Sequence, residues 1–494
     1  MEYIRVKNLR SIVDSGNFRI NNINLLLGKN SSGKSSILRM FPMIAESAKN
    51  ELRGPLMWKS EYYDFGNFRN ALNNKVPLST GSMEFEFSWD ISQDKKKKGF
   101  FQFLKNSNYI TVKFVIAQLD KNTYLKQLVI SAKDVLLLRL DCQTPKANVS
   151  CYLDDQQVSI GKAVWQYDYR GVIPNLQIHH ADSEELDKLF QIQRRYNEYN
   201  NGRSVNVLMS SPLESLNIDN IKEQFRQKFA AVIDKEKVNE EEVLDLMISI
   251  YVPTTISSLL SYCDQKLSYY FSRVHYIAPL RYNRTRYSVE NDLSVNRIDA
   301  TGKNLVDFII SLEDKKKDSL NNFLLNTLNV TLDTQGDIST ELRINNEDGI
   351  NNLVDIGYGY TQLLPIAVTL WEVANEKSET EHTIVIEQPE VHLHPSLQSN
   401  LAHLFTYTIE EARKNKIDVR FLIETHSAYL VNRLGRYVYN KEQNYESSEP
   451  NMHKISPKDI SIYLFNKENG TTNITTTEFD DQGRIKKWPL GFLD

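Results

Sequence analysis

Leu25-Leu26-Leu27-Gly28-Lys29-Asn30-Ser31-Ser32-Gly33-Lys34-Ser35-Ser36 decides how the rest of this sequence is read. It fits the pattern G-x-x-x-x-G-K-[ST], with Gly28, Gly33, Lys34 and Ser35 at the fixed positions. Two glycines let the backbone curl with no Cβ in the way. Successive N–H groups, from Asn30, Ser31 and Ser32 through Ser36, can then point inward and cradle phosphate oxygens. The apolar run Ile23 to Leu27 predicts a buried strand, and Ser35 to Lys49 predicts the helix after it. The positive end of that helix faces the same anion. Lys34 can reach the β- and γ-phosphates, and the Ser35 hydroxyl can ligate Mg²⁺. The alternative is a glycine-containing turn that binds nothing, and the complete strand–loop–helix context speaks against it.

Composition narrows the class without choosing a function. The 494 residues exceed one domain by length and are 41% hydrophobic and 25% charged, as in ordinary water-soluble chains. The net charge of −4 supplies no global basic field for nucleic acid, although a local patch stays open. Three cysteines, Cys142, Cys151 and Cys263, have no metal-like spacing, which points to a reduced, cytoplasmic protein. The start Met1-Glu2-Tyr3-Ile4 has no apolar signal core, and no run of eighteen apolar residues suggests a membrane span.

Along the chain, Tyr3 to Asn30 reads as two or three strands with tight turns. Pro42 is expected to bend the helix after the loop. Met83 to Trp89 alternates as a half-buried strand, and Tyr109–Leu119 and Lys126–Leu140 continue an antiparallel lobe. The run Asp94 to Lys98 reads as a solvated hairpin turn, with a DNA-phosphate contact as the alternative. Ala181 to Ser272, with loops around Asn197–Gly202 and Ser210–Pro212, reads as helical without a heptad repeat. From Val274 onward, strand and helix patterns alternate as in an α/β nucleotide-binding core. The expected division is a lobe at 1–140, a mainly helical insertion at 141–272, a second lobe at 273–430, and a C-terminal extension at 431–494.

Three further stretches carry chemistry. Thr383-Ile384-Val385-Ile386-Glu387-Gln388-Pro389-Glu390 is an apolar strand ending in acids. Phosphate-loop enzymes place a Mg²⁺-holding carboxylate there, so Glu387 and Ser35 are the expected metal pair. Gln388 stands where a base is usual; it can orient water but not take its proton, and Glu390 is the substitute candidate. The stretch Asp355 to Pro365 is a glycine-rich turn opening a helix. It is either a helix cap or, with Gly359, Thr361 and Gln362, an anion site. Phe421 to Ser427 is another strand with a polar tip, where His426 is a candidate γ-phosphate sensor. The alternating His392 and His394 are weak evidence for a metal.

Together these pieces resemble the ATP-binding-cassette ATPases of the SMC/RecF/OLD type, found in bacterial phage-defence and DNA-repair systems. The order matches: phosphate loop, Gly357-x-Gly359-x-Thr361-Gln362, Glu387-Gln388-Pro389-Glu390-x-His392-Leu393-His394-Pro395, then Glu424-Thr425-His426-Ser427. Weaker matches are Asp64-Phe65-Gly66-Asn67-Phe68, Tyr276 to Arg281 with Arg284 and Arg286, and the tail Trp488 to Phe492, which looks like one defence-associated subfamily. The resemblance implies an α/β head, mixed sheet plus antiparallel lobe, with an inserted helical subdomain. It implies ATP and Mg²⁺ as cofactors. It also implies a homodimer or higher oligomer in which Gly359, Thr361 and Gln362 act on the partner's nucleotide. His392 to Pro395 falls at the family's dimer-contact loop. Residues 428–494 are too few for the Toprim nuclease that many OLD proteins append, so a separate effector is expected: a Toprim-like or HNH-like nuclease, or a toxin. Three functions follow: an ATP-driven switch in an anti-phage complex, a RecF-like clamp on DNA, or a regulatory ATP binder that hydrolyses little.

Overall fold

In the computed structural model, the described residues are 1–494 without 93–103, 105–106, 133–134, 168–169, 180–190, 192–193, 195–215, 237–238, 280–287, 290–294, 296, 336–338, 348, 357, 377–379, 443–454 and 489–494. The Asp94–Lys98 run, the loops at 197–202 and 210–212, Gly357, Arg281, Arg284, Arg286 and Pro489 to Phe492 lie outside the described residues.

The N-terminal part gives β1 (Tyr3–Leu9), β2 (Ile12–Asp14), β3 (Phe18–Arg19), β4 (Ile23–Gly28), α1 (Lys34–Lys49) and α2 (Phe68–Ala71). An antiparallel run follows: β5 (Ser82–Asp90), β6 (Tyr109–Leu119), β7 (Asn122–Ala132), β8 (Val135–Asp141), β9 (Ser150–Leu153) and β10 (Gln156–Val158). The single strand expected over Lys126–Leu140 is therefore two. A separate hairpin pairs β11 (Lys162–Gln166) with β12 (Asn175–His179). Strands thus occupy part of 141–272, and among the described residues the helices α3 (Ile218–Glu236) and α4 (Glu240–Ser272) come only afterwards.

The second half supplies β13 (Val274–Ile277), β14 (Ser288–Val289), α5 (Leu305–Ile310), α6 (Asp314–Leu328) and a small sheet of β14 with β15 (Thr331–Gln335), β16 (Ser339–Asn346) and β17 (Gly349–Asn352). Then come α7 (Tyr358–Ala374), β18 (Glu381–Glu387), α8 (Pro395–Lys414), β19 (Asp418–Glu424), α9 (Ala428–Glu442), β20 (Ile460–Glu468) and β21 (Thr471–Thr477). One large sheet runs β10-β9-β8-β7-β6-β5-β1-β2-β21-β20-β4-β19-β18-β13, with β3 on β1. Its β20-β4-β19-β18-β13 end is parallel throughout. The α/β class and the mixed sheet with an antiparallel lobe are those read from the sequence.

The parallel strands are apolar on both faces because helices cover both. Leu26, Val385 and Leu422 join the core beneath α1 and α4. Ile23, Leu25, Leu27, Ile384, Ile386, Phe421 and Ile423 join the core beneath α5 to α9. Helix α4 is long and apolar enough to cross a membrane by composition, yet 65% of its apolar window is buried inside the protein. Pro42 lies within α1, as read. The C-terminal hairpin β20–β21 was not foreseen; it places a strand directly beside β4.

Candidate nucleotide site

The parallel strands end together, and in such sheets ligands bind beyond the carboxyl ends. Gly28 closes β4 with φ +150, and a Cβ there would lie 2.3 Å from the Phe465 carbonyl oxygen of β20. The first fixed glycine is thus demanded by the neighbouring strand as well as by the loop. Gly33 caps α1 in a left-handed conformation, φ +99, with the Thr472 and Ser11 hydroxyls about it. The Thr472 hydroxyl donates to the Ser32 carbonyl (2.8 Å) and shares a hydrogen bond with the Ser11 hydroxyl (2.7 Å), so the C-terminal hairpin buttresses the loop from outside.

A cavity of about 360 Å³ lies over the loop. It is lined by Ser31 to Ser36 together with Arg10, Ser11, Arg39, Glu424 and Lys467. Lys34 is buried and donates to the Gly28 and Lys29 carbonyls (2.8 and 2.9 Å). Burial pushes its pKa down, against the pull of Glu424. Burial thus disfavours the charged form, Glu424 opposes that only in part, and a phosphate would favour the ammonium further. The Ser32 hydroxyl is 2% exposed, lines the cavity and has no hydrogen-bond partner. A buried donor without a partner is costly to keep, and a phosphate oxygen would satisfy it. Asn30 is exposed and outside the cavity lining.

Sequence reasoning did not assign Glu424, which ends β19 beside β4. Ser35 Oγ donates to Glu424 Oε2 at 2.7 Å, and Lys34 Nζ stands 3.7 Å from its other oxygen. Burial raises the pKa of this carboxyl, opposed by the Ser35 hydrogen bond and the Lys34 charge. Glu387, expected against Ser35, is engaged elsewhere: Arg39 grips both its oxygens (2.9 and 2.8 Å) and the Tyr276 hydroxyl donates at 2.7 Å. The two glutamates share one register position on neighbouring strands. The signal for Glu424 was available: an apolar strand ending in an acid, as at Glu387.

Gln388 takes φ +43, and its N–H donates to the Glu424 carbonyl at 2.9 Å. Glu390 is buried and accepts from the Thr425 hydroxyl (2.9 Å) and the His426 N–H (2.6 Å). These contacts tie the turn after β18 to the turn after β19. Burial and the Lys34 charge push the His426 pKa down, which keeps its ring neutral near the loop. In the glycine-rich turn, Gly359 packs against Leu397, whereas Thr361 (1% exposed) and Gln362 (6%) are buried in the first turns of α7. His394 caps α8 through Ser396 rather than entering a metal cluster; no group of three metal-capable side chains exists among the described residues. Asn67 of the Asp64–Phe68 stretch caps α2.

A family model described as "AAA ATPase domain" matches residues 1–431, and one for a protein family of unknown function (DUF3696) matches residues 455–494. No curated protein matches. Among solved structures, the chain is similar to the SMC head domain from Thermotoga maritima, at 10% identity, with 96% of this chain and 98% of that one covered and a TM-score of 0.36. It is also similar to the Smc head domain with an extended coiled coil bound to the C-terminal domain of ScpA, derived from Pyrococcus furiosus, at 12% identity, 97% and 96% coverage and a TM-score of 0.34. Likeness that remote carries no weight for function.

Proposed function

The chain belongs to the AAA ATPase domain family, and from that premise we propose that it binds and slowly hydrolyses ATP with Mg²⁺, using ATP as a clamp between two copies of itself. The observation that carries this reading is the loop itself. A buried lysine and an unpartnered buried serine hydroxyl line a cavity whose other cations are Arg10, Arg39 and Lys467. Four cationic side chains, of which Arg39 is already paired with Glu387, suit a triphosphate. Ser35, with a strand-end carboxylate, fits Mg²⁺, which takes oxygen ligands and is usually held by one or two carboxylates plus phosphates. The metal supplies charge neutralisation on the transferring phosphoryl group.

Gln388 orients water without accepting its proton. Glu390, the substitute base, already accepts two hydrogen bonds. Positioning and electrostatics alone can support phosphoryl transfer, so turnover is expected on the order of one per minute or less, far below typical enzyme rates. A long-lived ATP state suits a switch. In the finer reading, that switch serves an anti-phage complex and governs a separate effector, which rests on the motif order and the tail. Gly359, Thr361 and Gln362 would act across the dimer, which requires the buried start of α7 to open.

Sedimentation of the full chain with and without ATP and Mg²⁺ tests the clamp: ATP is expected to double the mass. Gly359→Asp should leave nucleotide binding intact and stop both the doubling and turnover. A chain that binds no ATP overturns the reading, and a Gly359→Asp variant that dimerises and turns over normally removes the action in trans.

A further inference from the structure

On the nucleotide reading above, we propose that Glu424, rather than Glu387, is the carboxylate that works with Ser35 to hold the divalent cation. Four observations converge. Glu424 is the one carboxylate among the residues lining the 360 Å³ cavity, where it faces Arg10, Lys34, Arg39 and Lys467. Its Oε2 already takes the Ser35 hydroxyl at 2.7 Å, the group that a magnesium ion at this loop would share. Both oxygens of Glu387 are held by close hydrogen bonds from Arg39, and Tyr276 adds a third. Glu424 is charge-paired too, but more loosely, with Lys34 at 3.7 Å, and Lys34 is the side chain that a triphosphate would draw to itself. Finally, β19 is the strand hydrogen-bonded to β4, which leads into the loop, whereas β18 is the next strand out and its Glu387 meets α1 at Arg39, one turn beyond Ser35.

The unpartnered Ser32 hydroxyl in the same cavity independently marks it as a ligand site. The described residues contain no group of three side chains able to hold a metal by themselves. A cation here must therefore take most of its ligands from phosphate and water, which is how Mg²⁺ behaves. One hydroxyl and one carboxylate are then a sufficient protein contribution. Glu387 becomes a positioning residue that fixes Arg39 at the cavity wall.

The test uses the full chain and a fluorescent N-methylanthraniloyl ATP, titrated with MgCl₂ or assayed in EDTA. Glu424→Gln is expected to raise the Mg²⁺ midpoint tenfold or more. Its affinity in EDTA should be equal or tighter, because a negative charge leaves an anion site. Glu387→Gln should shift the midpoint less than threefold. Glu424→Asp keeps the charge and is expected to shift it threefold or more, which preserves the test if Glu424→Gln does not fold. A tenfold shift in Glu387→Gln with none in Glu424→Gln or Glu424→Asp overturns the assignment, as do small shifts in all three. Wild-type protein that binds no analogue brings down the nucleotide reading and this assignment with it. Wild-type binding with an unshifted Glu424→Gln brings down the assignment alone.

Discussion

One sheet contains two kinds of strand. At the parallel end, β4, β18 and β19 are buried along nearly their whole length. In the antiparallel run, β5, β6 and β7 alternate buried and more exposed positions. The parallel strands also end at one level, where Gly28 opens the loop, Glu424 lines its cavity and Glu387 stands one strand over, holding Arg39 of the cavity wall. The charged groups of the antiparallel run pair instead across its part-exposed faces, as Lys7 does with Glu84 and Arg139 with Asp141. The difference teaches where chemistry can sit. Parallel strands deliver several side chains to one edge; antiparallel hairpins alternate their ends and deliver them to two. Binding should therefore fail on one side of the sheet and only stability on the other.

The largest expected effect on binding is Lys34→Ala. Loss of the buried ammonium should weaken the fluorescent ATP analogue at least a hundredfold, about 3 kcal/mol. Some stability should go with it, because Lys34 also holds the Gly28 and Lys29 carbonyls and faces the buried Glu424, but the folded variant should still fail to bind. Unfolding at lower urea with binding retained would break the comparison at its strongest point. Next is Gly28→Ala. The new methyl group would meet the Phe465 carbonyl at 2.3 Å, on a backbone at φ +150. A loss of about 4 kcal/mol or more in urea unfolding is expected; a loss under about 1 kcal/mol would show that β20 is free to move.

The antiparallel run gives the converse. Phe87 is buried and packs edge-on against Phe271 (5.5 Å) and Phe114 (5.9 Å). Phe87→Ala should cost about 3–5 kcal/mol, while the folded variant keeps its affinity for the ATP analogue. Glu84→Ala, which removes a part-exposed pair with Lys7, should cost under about 1 kcal/mol. Altered nucleotide affinity in folded Phe87→Ala would show that the two halves are coupled.

These contrasts also explain what the sequence revealed. The β4–loop–α1 unit is contiguous, and its glycines and apolar run carry the whole signal, so it was legible. So were β5, β18 and β19, each marked by its own pattern. The C-terminal hairpin was not. Thr471 to Thr477 is polar, and Thr472 earns its place only through Ser11 and Ser32, hundreds of residues away. Strands β9 to β12 are three to five residues long, too short for periodicity to declare. Glu424 and Glu387 look alike in sequence. What separates them is which strand neighbours β4, and that is a fact of topology.

An effect confined to acid pH concerns the opposite ends of the parallel strands, which should govern stability without touching the nucleotide. His382, in β18, is 2% exposed and pairs with His275 of β13 at 3.0 Å and with Thr380 at 2.8 Å. Burial, then the Arg273 and Arg297 charges, lowers its pKa from 6.5 to about 4. His275 is pushed down as well, chiefly by burial. Glu376 lies 2.7 Å from His382 but is 43% exposed, so water screens much of its opposing pull. The fold therefore favours neutral imidazole. Its contribution is complete above pH 6.5 and is lost as pH falls from 6.5 toward 4, where the unfolded chain takes up the proton and the folded one does not. The slope for one such group is about 1.4 kcal/mol per pH unit, an upper bound that Glu376 reduces. Urea unfolding between pH 7 and pH 4.5 should show this acid limb, and His382→Gln should flatten it while analogue binding at pH 7.5 stays within about twofold. An unchanged acid limb in His382→Gln would assign the loss to other groups. A matching loss of binding would mean that the two ends of the parallel strands are not independent.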